Sequence, residues 1–204
     1  MVGVGLFDLE DQFAFYGAYH NNKVNVMTHV ICVWPLLFGG LIMLAYTQPL
    51  AMQFPFMVSL PFHEYMSLNY CFVACVIYAL FYVSLEYKSG SLAALLVLFC
   101  WIAANALAYH YPYTVGWKIA AIIEIVGWTA QFITHGFFEK RSPALVDNLV
   151  QACLLAPYFV MLEALHSVFR YEPYTGFHKN VQYLVNQKKA EFKAKKTKET
   201  KKSA

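Results

Sequence analysis

Charge is scarce in this sequence. Only 13% of its 204 residues are Asp, Glu, Lys or Arg, where soluble domains carry about 25%. With 59% hydrophobic residues, 18% aromatics and a mean hydropathy of +0.45, that shortage excludes an ordinary water-soluble globule. The cations are also unevenly spread. Eight lysines (188, 189, 193, 195, 196, 198, 201 and 202) stand against Glu191 and Glu199 in the tail, while residues 1–187 hold seven basic and ten acidic groups. The net charge of +3 is therefore a property of the tail. A basic tail suits anionic lipid or solvent. Nothing else reads as a nucleic-acid module, so no nucleic-acid partner is expected.

Other absences narrow the chemistry. Five cysteines (32, 71, 75, 100, 153) all lie in apolar runs, with no C-x-x-C. The odd count argues against a disulfide framework, and Cys71 with Cys75 reads as buried packing rather than a metal pair. The start carries Asp8, Glu10 and Asp11 in place of the basic n-region of a secretory signal. There is no G-x-S-x-G, P-loop, dinucleotide fingerprint or H-E-x-x-H. The H-x-x-H boxes usual in lipid desaturases and hydroxylases are absent as well.

What remains is a set of apolar runs. Residues 29–48, 66–86, 91–109 and 115–138 each approach the roughly 20 residues that a bilayer core demands. Residues 8–20 repeat Leu9, Phe13, Tyr16 and Tyr19 at helical spacing and predict an amphipathic surface helix capped by Asp8. Residues 144–169, with Pro157 in the middle, predict a kinked, half-buried or interfacial helix that is also long enough for a fifth span. The expected fold is an all-α polytopic membrane bundle of about four spans. Its integral membrane domain is residues 1–170, followed by a polar Lys-rich cytosolic tail over 171–204, disordered or loosely helical from about 188. Lys23, Lys88 and Lys140-Arg141 mark one side as cytosolic, and the opposite loops, 49–64 and 110–114, hold no Lys or Arg. Both termini then face the cytosol. Lys201 and Lys202 match a C-terminal dilysine signal, which implies coat-protein recognition and an endoplasmic-reticulum address.

That topology sorts the polar residues. His20 and His29 are nine apart, on opposite faces of any continuous helix. Asn21-Asn22 is turn chemistry, and Asn25 is a candidate N-cap, so a break can bring the two rings together. Gln131, His135 and Glu139 follow i, i+4, i+8 along one helix face at the same membrane edge. His20, His29, His135 and Glu139 thus form a candidate cage for one ion. Its open positions suit non-haem Fe(II) with dioxygen, and zinc hydrolysis is possible from the same atoms. His63 and His110 fall at the opposite edge as interfacial groups. Glu124 is an intramembrane carboxylate about three turns from His135, which suggests function by default. Glu163 is a similar group with better access to the site. Two rivals stand beside an oxidase: a metal-dependent lipid hydrolase, and a non-catalytic lipid-binding or structural membrane protein.

Two blocks carry a resemblance. The first is Phe15-Tyr16, Tyr19-His20-Asn21, Asn25, His29 and Pro35. The second runs from Gly127-Trp128 through Gln131-Phe132, His135-Gly136, Phe138-Glu139-Lys140-Arg141, Pro143-Ala144-Leu145, Asp147-Asn148-Leu149-Val150-Gln151 and Leu155-Ala156-Pro157-Tyr158-Phe159 to Glu163. Over about residues 6–165 the chain resembles the 2-hydroxy fatty acid dioxygenases, small endoplasmic-reticulum membrane proteins of fungi with bacterial relatives. The resemblance implies an Fe2+-dependent α-oxidation: a long-chain 2-hydroxy fatty acid and O2 give the acid one carbon shorter and CO2, within phytosphingosine breakdown. It assigns His20, His29 and His135 as ligands. Glu139 becomes a fourth ligand or an orienter of the others, and Asn25 and Gln131 become supporting or substrate-carboxylate contacts.

Overall fold

The computed structural model describes residues 5–140 and 151–202. Arg141, Pro143, Asp147 and Asn148, named above, lie outside the described residues, as do the side chains of Lys201 and Lys202. Among the described residues the regular structure is helical, with no strands: α1 Leu9–Tyr19, α2 Lys23–Ala45, α3 Tyr70–Leu85, α4 Tyr87–His110, α5 Tyr113–Thr134, α6 Ala156–Phe169 and α7 Phe177–Lys202. Short 3-10 turns, Pro55–Ser59 and His63–Tyr65, fill the α2–α3 connection.

α1 to α4 each start where a side chain can satisfy free N–H groups; α5 and α6 have no side-chain cap. Asp8 Oδ1 accepts from Asp11 N at 3.1 Å to open α1. Asn22 Oδ1 accepts from Val24 N at 2.9 Å to open α2, so Asn22, not Asn25, is the cap. Asn69 opens α3 and Glu86 opens α4, the latter accepting from Lys88 N and Ser89 N at 2.9 and 2.7 Å.

Four helical segments among the described residues are long and apolar enough to cross a membrane: Lys23–Ala45, Tyr87–His110, Tyr113–Glu139 and Ala152–Phe169. The stretch expected as a second span, 66–86, forms the apolar helix α3 of 16 residues, about 24 Å long; it starts beside the end of α2, where Asn69 Nδ2 donates to the Ala45 carbonyl at 3.1 Å, and returns the chain to the start of α4. The late stretch, expected as a kinked interfacial helix or a fifth span, is long and apolar enough over Ala152–Phe169 to cross a membrane. Pro157 sits in the first turn of α6, where its missing N–H does least harm. The Cys153 carbonyl that this proline cannot satisfy accepts instead from the Tyr78 hydroxyl at 2.8 Å, and Leu154 O accepts from Tyr82 at 2.9 Å. In a bilayer these two α3 tyrosines replace the water that would otherwise solvate freed carbonyls. Large apolar side chains such as Ile77, Leu95, Phe99, Ile122 and Ile125 point outward, as lipid-facing residues must.

α2 and α5 form the pair that positions the site. They run antiparallel at close range because glycines line the seam. A Cβ at Gly127 would lie 2.7 Å from Leu36, one at Gly39 would lie 2.7 Å from Glu124 Oε1, and Gly116 abuts the Tyr46 ring. α6 lies inside, with Tyr158 and Phe159 fully buried. α1 is more enclosed than a surface helix: Leu9, Phe13, Ala14, Tyr16 and Tyr19 are all buried. Part of its cover is α7, whose Phe177, Val181 and Val185 join the same core.

Candidate metal centre

The chain leaves helical geometry at His20, between α1 and α2. There the His20 ring folds back, and its Nδ1 donates to the Tyr16 carbonyl at 2.7 Å. Two turns into α2, His29 repeats the arrangement, with Nδ1 donating to the Asn25 carbonyl at 2.9 Å. A carbonyl only accepts, so each neutral ring carries its proton on Nδ1 and presents the Nε2 lone pair. His135, where α5 ends, faces them with its Nε2 3.3 Å from His29 Nε2.

The three rings meet edge-on. Their centroids lie 4.3 Å (His20–His29), 5.0 Å (His20–His135) and 4.9 Å (His29–His135) apart. One nitrogen from each lies within 4.8 Å of the others, and the group is buried. His20 Nε2 is enclosed and has no protein partner. Burial and the neighbouring His29 hold the His20 ring well below the usual histidine range, so it stays neutral. Metal–nitrogen bonds of roughly 2.0–2.1 Å put adjacent donors about 2.9–3.4 Å apart. The 3.3 Å separation fits. The Nε2 lone pairs of His20 and His29 converge with the His135 ring on one buried point, a donor set that suits a first-row metal ion.

The structure draws Glu139 away from this donor set. Its Oε1 accepts from Asn21 N at 2.7 Å, Asn22 N at 2.8 Å and Asn25 Nδ2 at 3.2 Å. The cause is a π turn over His135–Glu139. An i→i+5 turn breaks the i, i+4 register, so Glu139 leaves the face it would share with His135 on a regular helix. It pins the α1–α2 break that presents His20. Asn25, fully buried, completes the bracket: its Oδ1 accepts from Thr134 Oγ1 at 2.9 Å while its own carbonyl holds His29.

Other expected residues surround the trio. Tyr16 stacks on His20 at 4.0 Å, and Glu163 faces its hydroxyl. Burial and then that carboxyl raise Tyr16 well above the usual phenol range. Gln131 is buried one turn from His135, with an amide nitrogen that has no partner. It lines a cavity of about 450 Å³ that begins at the three imidazoles and runs between α2 and α5 past Trp128 to Glu124. Glu124 Oε2 accepts from Trp128 Nε1 at 2.9 Å. His110 is away from the site, bonded to the Tyr65 hydroxyl at 3.0 Å.

Sequence reasoning missed a second group, His166, Glu172 and His178, at the α6–α7 junction. Its two rings lie with centroids 3.5 Å apart and 34° between planes, an arrangement closer to stacking than to ligands splayed around one ion. The signal was hidden because the residues straddle a turn with no shared period.

The family described as 2-hydroxy-palmitic acid dioxygenase Mpo1-like matches residues 6–168. A Saccharomyces cerevisiae protein named 2-hydroxy-palmitic acid dioxygenase MPO1 is 37% identical over 164 residues, covering 80% of this chain and 83% of the yeast protein. No solved structure matches the chain.

Proposed function

The chain belongs to the Mpo1-like 2-hydroxy-palmitic acid dioxygenase family, and from that premise we propose that it catalyses Fe(II)-dependent α-oxidation of long-chain 2-hydroxy fatty acids. The observation that carries this reading is the buried cluster of His20, His29 and His135 lining a largely apolar cavity. Three neutral imidazoles would hold the iron and leave positions open. When bound, iron supplies the activation of dioxygen that organic side chains lack.

The remaining work falls to the chain's own residues. The substrate is amphipathic, and so is the site: polar at the trio and Gln131, apolar along α2. Gln131's free N–H is suited to bond the carboxylate or 2-hydroxyl. Tyr16, Leu36 and Trp128 keep bulk water from the reacting end. The Tyr16 and Asn25 carbonyls hold His20 and His29 in their metal-ready tautomer, and Glu139 fixes the chain break that orients them. The stoichiometry closes without a co-substrate. A 2-hydroxy acid and O2 yield the acid one carbon shorter, CO2 and water, and the four electrons come from C1 and C2 of the substrate. We place the enzyme in the endoplasmic-reticulum membrane with both termini cytosolic, Lys201 and Lys202 available to coat protein, and the reaction within phytosphingosine breakdown.

The test is metal content and oxygen uptake on detergent-purified protein, with 2-hydroxypalmitate added anaerobically before air. About one iron per chain and substrate-dependent O2 loss are expected, both abolished in His135→Ala. Zinc without O2 loss would move the assignment to hydrolysis. A fully active His135→Ala would overturn it.

A further inference from the structure

Adjacent glycines in α2 do different work. Gly39 is a packing glycine, since a Cβ there would collide with Glu124. Gly40 has no such reason to be small: a Cβ there meets nothing within 4 Å, and the residue lines the cavity that starts at the three imidazoles. Helix interiors disfavour glycine by about 1 kcal/mol relative to alanine. Gly40 is exposed, and the open space beside it is a flank of that cavity rather than a packing seam.

The α2 face of the cavity is one stripe. His29, Val33, Leu36, Gly40 and Leu44 follow one another at three- and four-residue steps. At 1.5 Å per residue, Gly40 lies about 16 Å along the helix from His29, and Leu44 about 22 Å. The facing wall gives the same measure, because Glu124 and His135 are also about 16 Å apart along α5. An extended acyl chain advances roughly 1.25 Å per carbon, from C–C bonds of about 1.5 Å at tetrahedral angles. From C2 to the terminal methyl of a sixteen-carbon acid is then about 18 Å. With its head at the trio, such a chain ends just past Gly40 and short of Leu44.

We propose that Gly40 and Leu44 set the acyl-chain length that the enzyme accepts, Gly40 by leaving room for the last methylenes and Leu44 by standing beyond the terminal methyl. The inference rests on the reading of the trio as the headgroup site. It adds the claim that selectivity is measured along α2, about three turns away from the chemistry.

The experiment uses the iron-loaded full chain with 2-hydroxylaurate, 2-hydroxypalmitate and 2-hydroxyarachidate, scored by oxygen uptake. Retention from an equimolar mixture, read by native mass spectrometry, is the second readout. Gly40→Phe should lower the palmitate-to-laurate ratio of kcat/KM by about tenfold or more, in line with the worth of methylenes in an apolar pocket. Leu44→Ala should raise the arachidate-to-palmitate ratio. Gly40→Ala and Gly40→Val give a graded series should the phenylalanine disturb folding, and bound iron reports an intact trio. Unchanged ratios in every variant, with turnover intact, would overturn the length gauge alone. If the wild type consumed no oxygen with any of the acids, the dioxygenase reading would fail, and the retained-lipid distribution would still decide the gauge: no shift toward shorter acids in the Gly40 series would overturn it.

Discussion

Two imidazoles of the trio are held by the same device, and this decides what a substitution does. His20 and His29 are fixed through Nδ1 by carbonyls of their own helices, so their orientation depends on where α1 stops and α2 starts. Glu139 controls that point. Its single oxygen gathers two backbone N–H groups and the Asn25 amide. Charge-assisted bonds of this kind are roughly twice as strong as neutral ones. Glu139→Gln keeps the shape, removes the charge and swaps one acceptor for a donor. It should weaken iron affinity about 10–100-fold, the usual loss when an outer partner of a ligand is removed, while leaving the spectrum of the bound iron little changed. His135→Ala should remove the iron altogether. Titration of the apo proteins with ferrous iron under anaerobic conditions separates the two. If Glu139→Gln abolished binding as completely as His135→Ala, Glu139 would be a ligand after all, and the bound state would differ from the geometry described here.

Helices make these contacts possible only where their termini and close approaches are right. The α3–α4 corner is the tightest. Glu86 ends α3 and caps α4, and Gly90, one turn later, lies against the Tyr82 carbonyl, with Val83 Cα 2.9 Å from where a Cβ would be. The neighbour is backbone, so it cannot rotate away. Gly90→Ala should cost about 1–3 kcal/mol, the range for overpacking, despite its better helix propensity. Thermal unfolding in detergent checks this, and a neutral outcome would mean that the corner opens freely. Much at this scale was legible beforehand. The apolar runs gave the helices, and the Asn-Asn break with the His135 position gave the meeting of His20, His29 and His135. Three features were not. A π turn has no sequence period, so i, i+4 counting put Glu139 on the His135 face. Pattern pointed to Asn25 as the cap of α2, where Asn22, three residues earlier, accepts from Val24 N. Pro157 reads as a mid-stretch kink until one sees that α6 begins beside it.

On the scale of the whole molecule, the basic tail and the histidine trio are connected through one helix. α1 carries Tyr16 and leads directly into His20, and α7 covers its outer side. Phe177 is fully buried and stacks on Phe13 at 5.6 Å between centroids. Val181 and Val185 continue that contact at helical spacing. The lysine-rich composition hid the stripe, because three apolar residues in a polar run do little to an average. Surface pairs on the same helix, Lys188 with Asp11 at 2.6 Å and Asn180 with Glu10 at 2.9 Å, contribute at most about 1 kcal/mol each. Burial of Phe177 is the larger effect, about 3–5 kcal/mol by the cost of truncating buried aromatics. Removing residues 171–204 leaves every long apolar helix in place but uncovers Leu9 and Phe13. The shortened protein should therefore still insert in membranes, yet bind iron more weakly and lose most of its turnover. Phe177→Ala should reproduce a large part of that loss, and Lys188→Ala almost none. Iron retained after gel filtration, compared across the three variants, is the measurement. If the truncated chain held its iron as well as the full one, residues 1–170 would be a self-sufficient catalytic unit and α7 an appendage. Loss in the truncation and in Phe177→Ala, with Lys188→Ala unaffected, would mean that the tail's apolar stripe, rather than its charge, is what the metal centre needs.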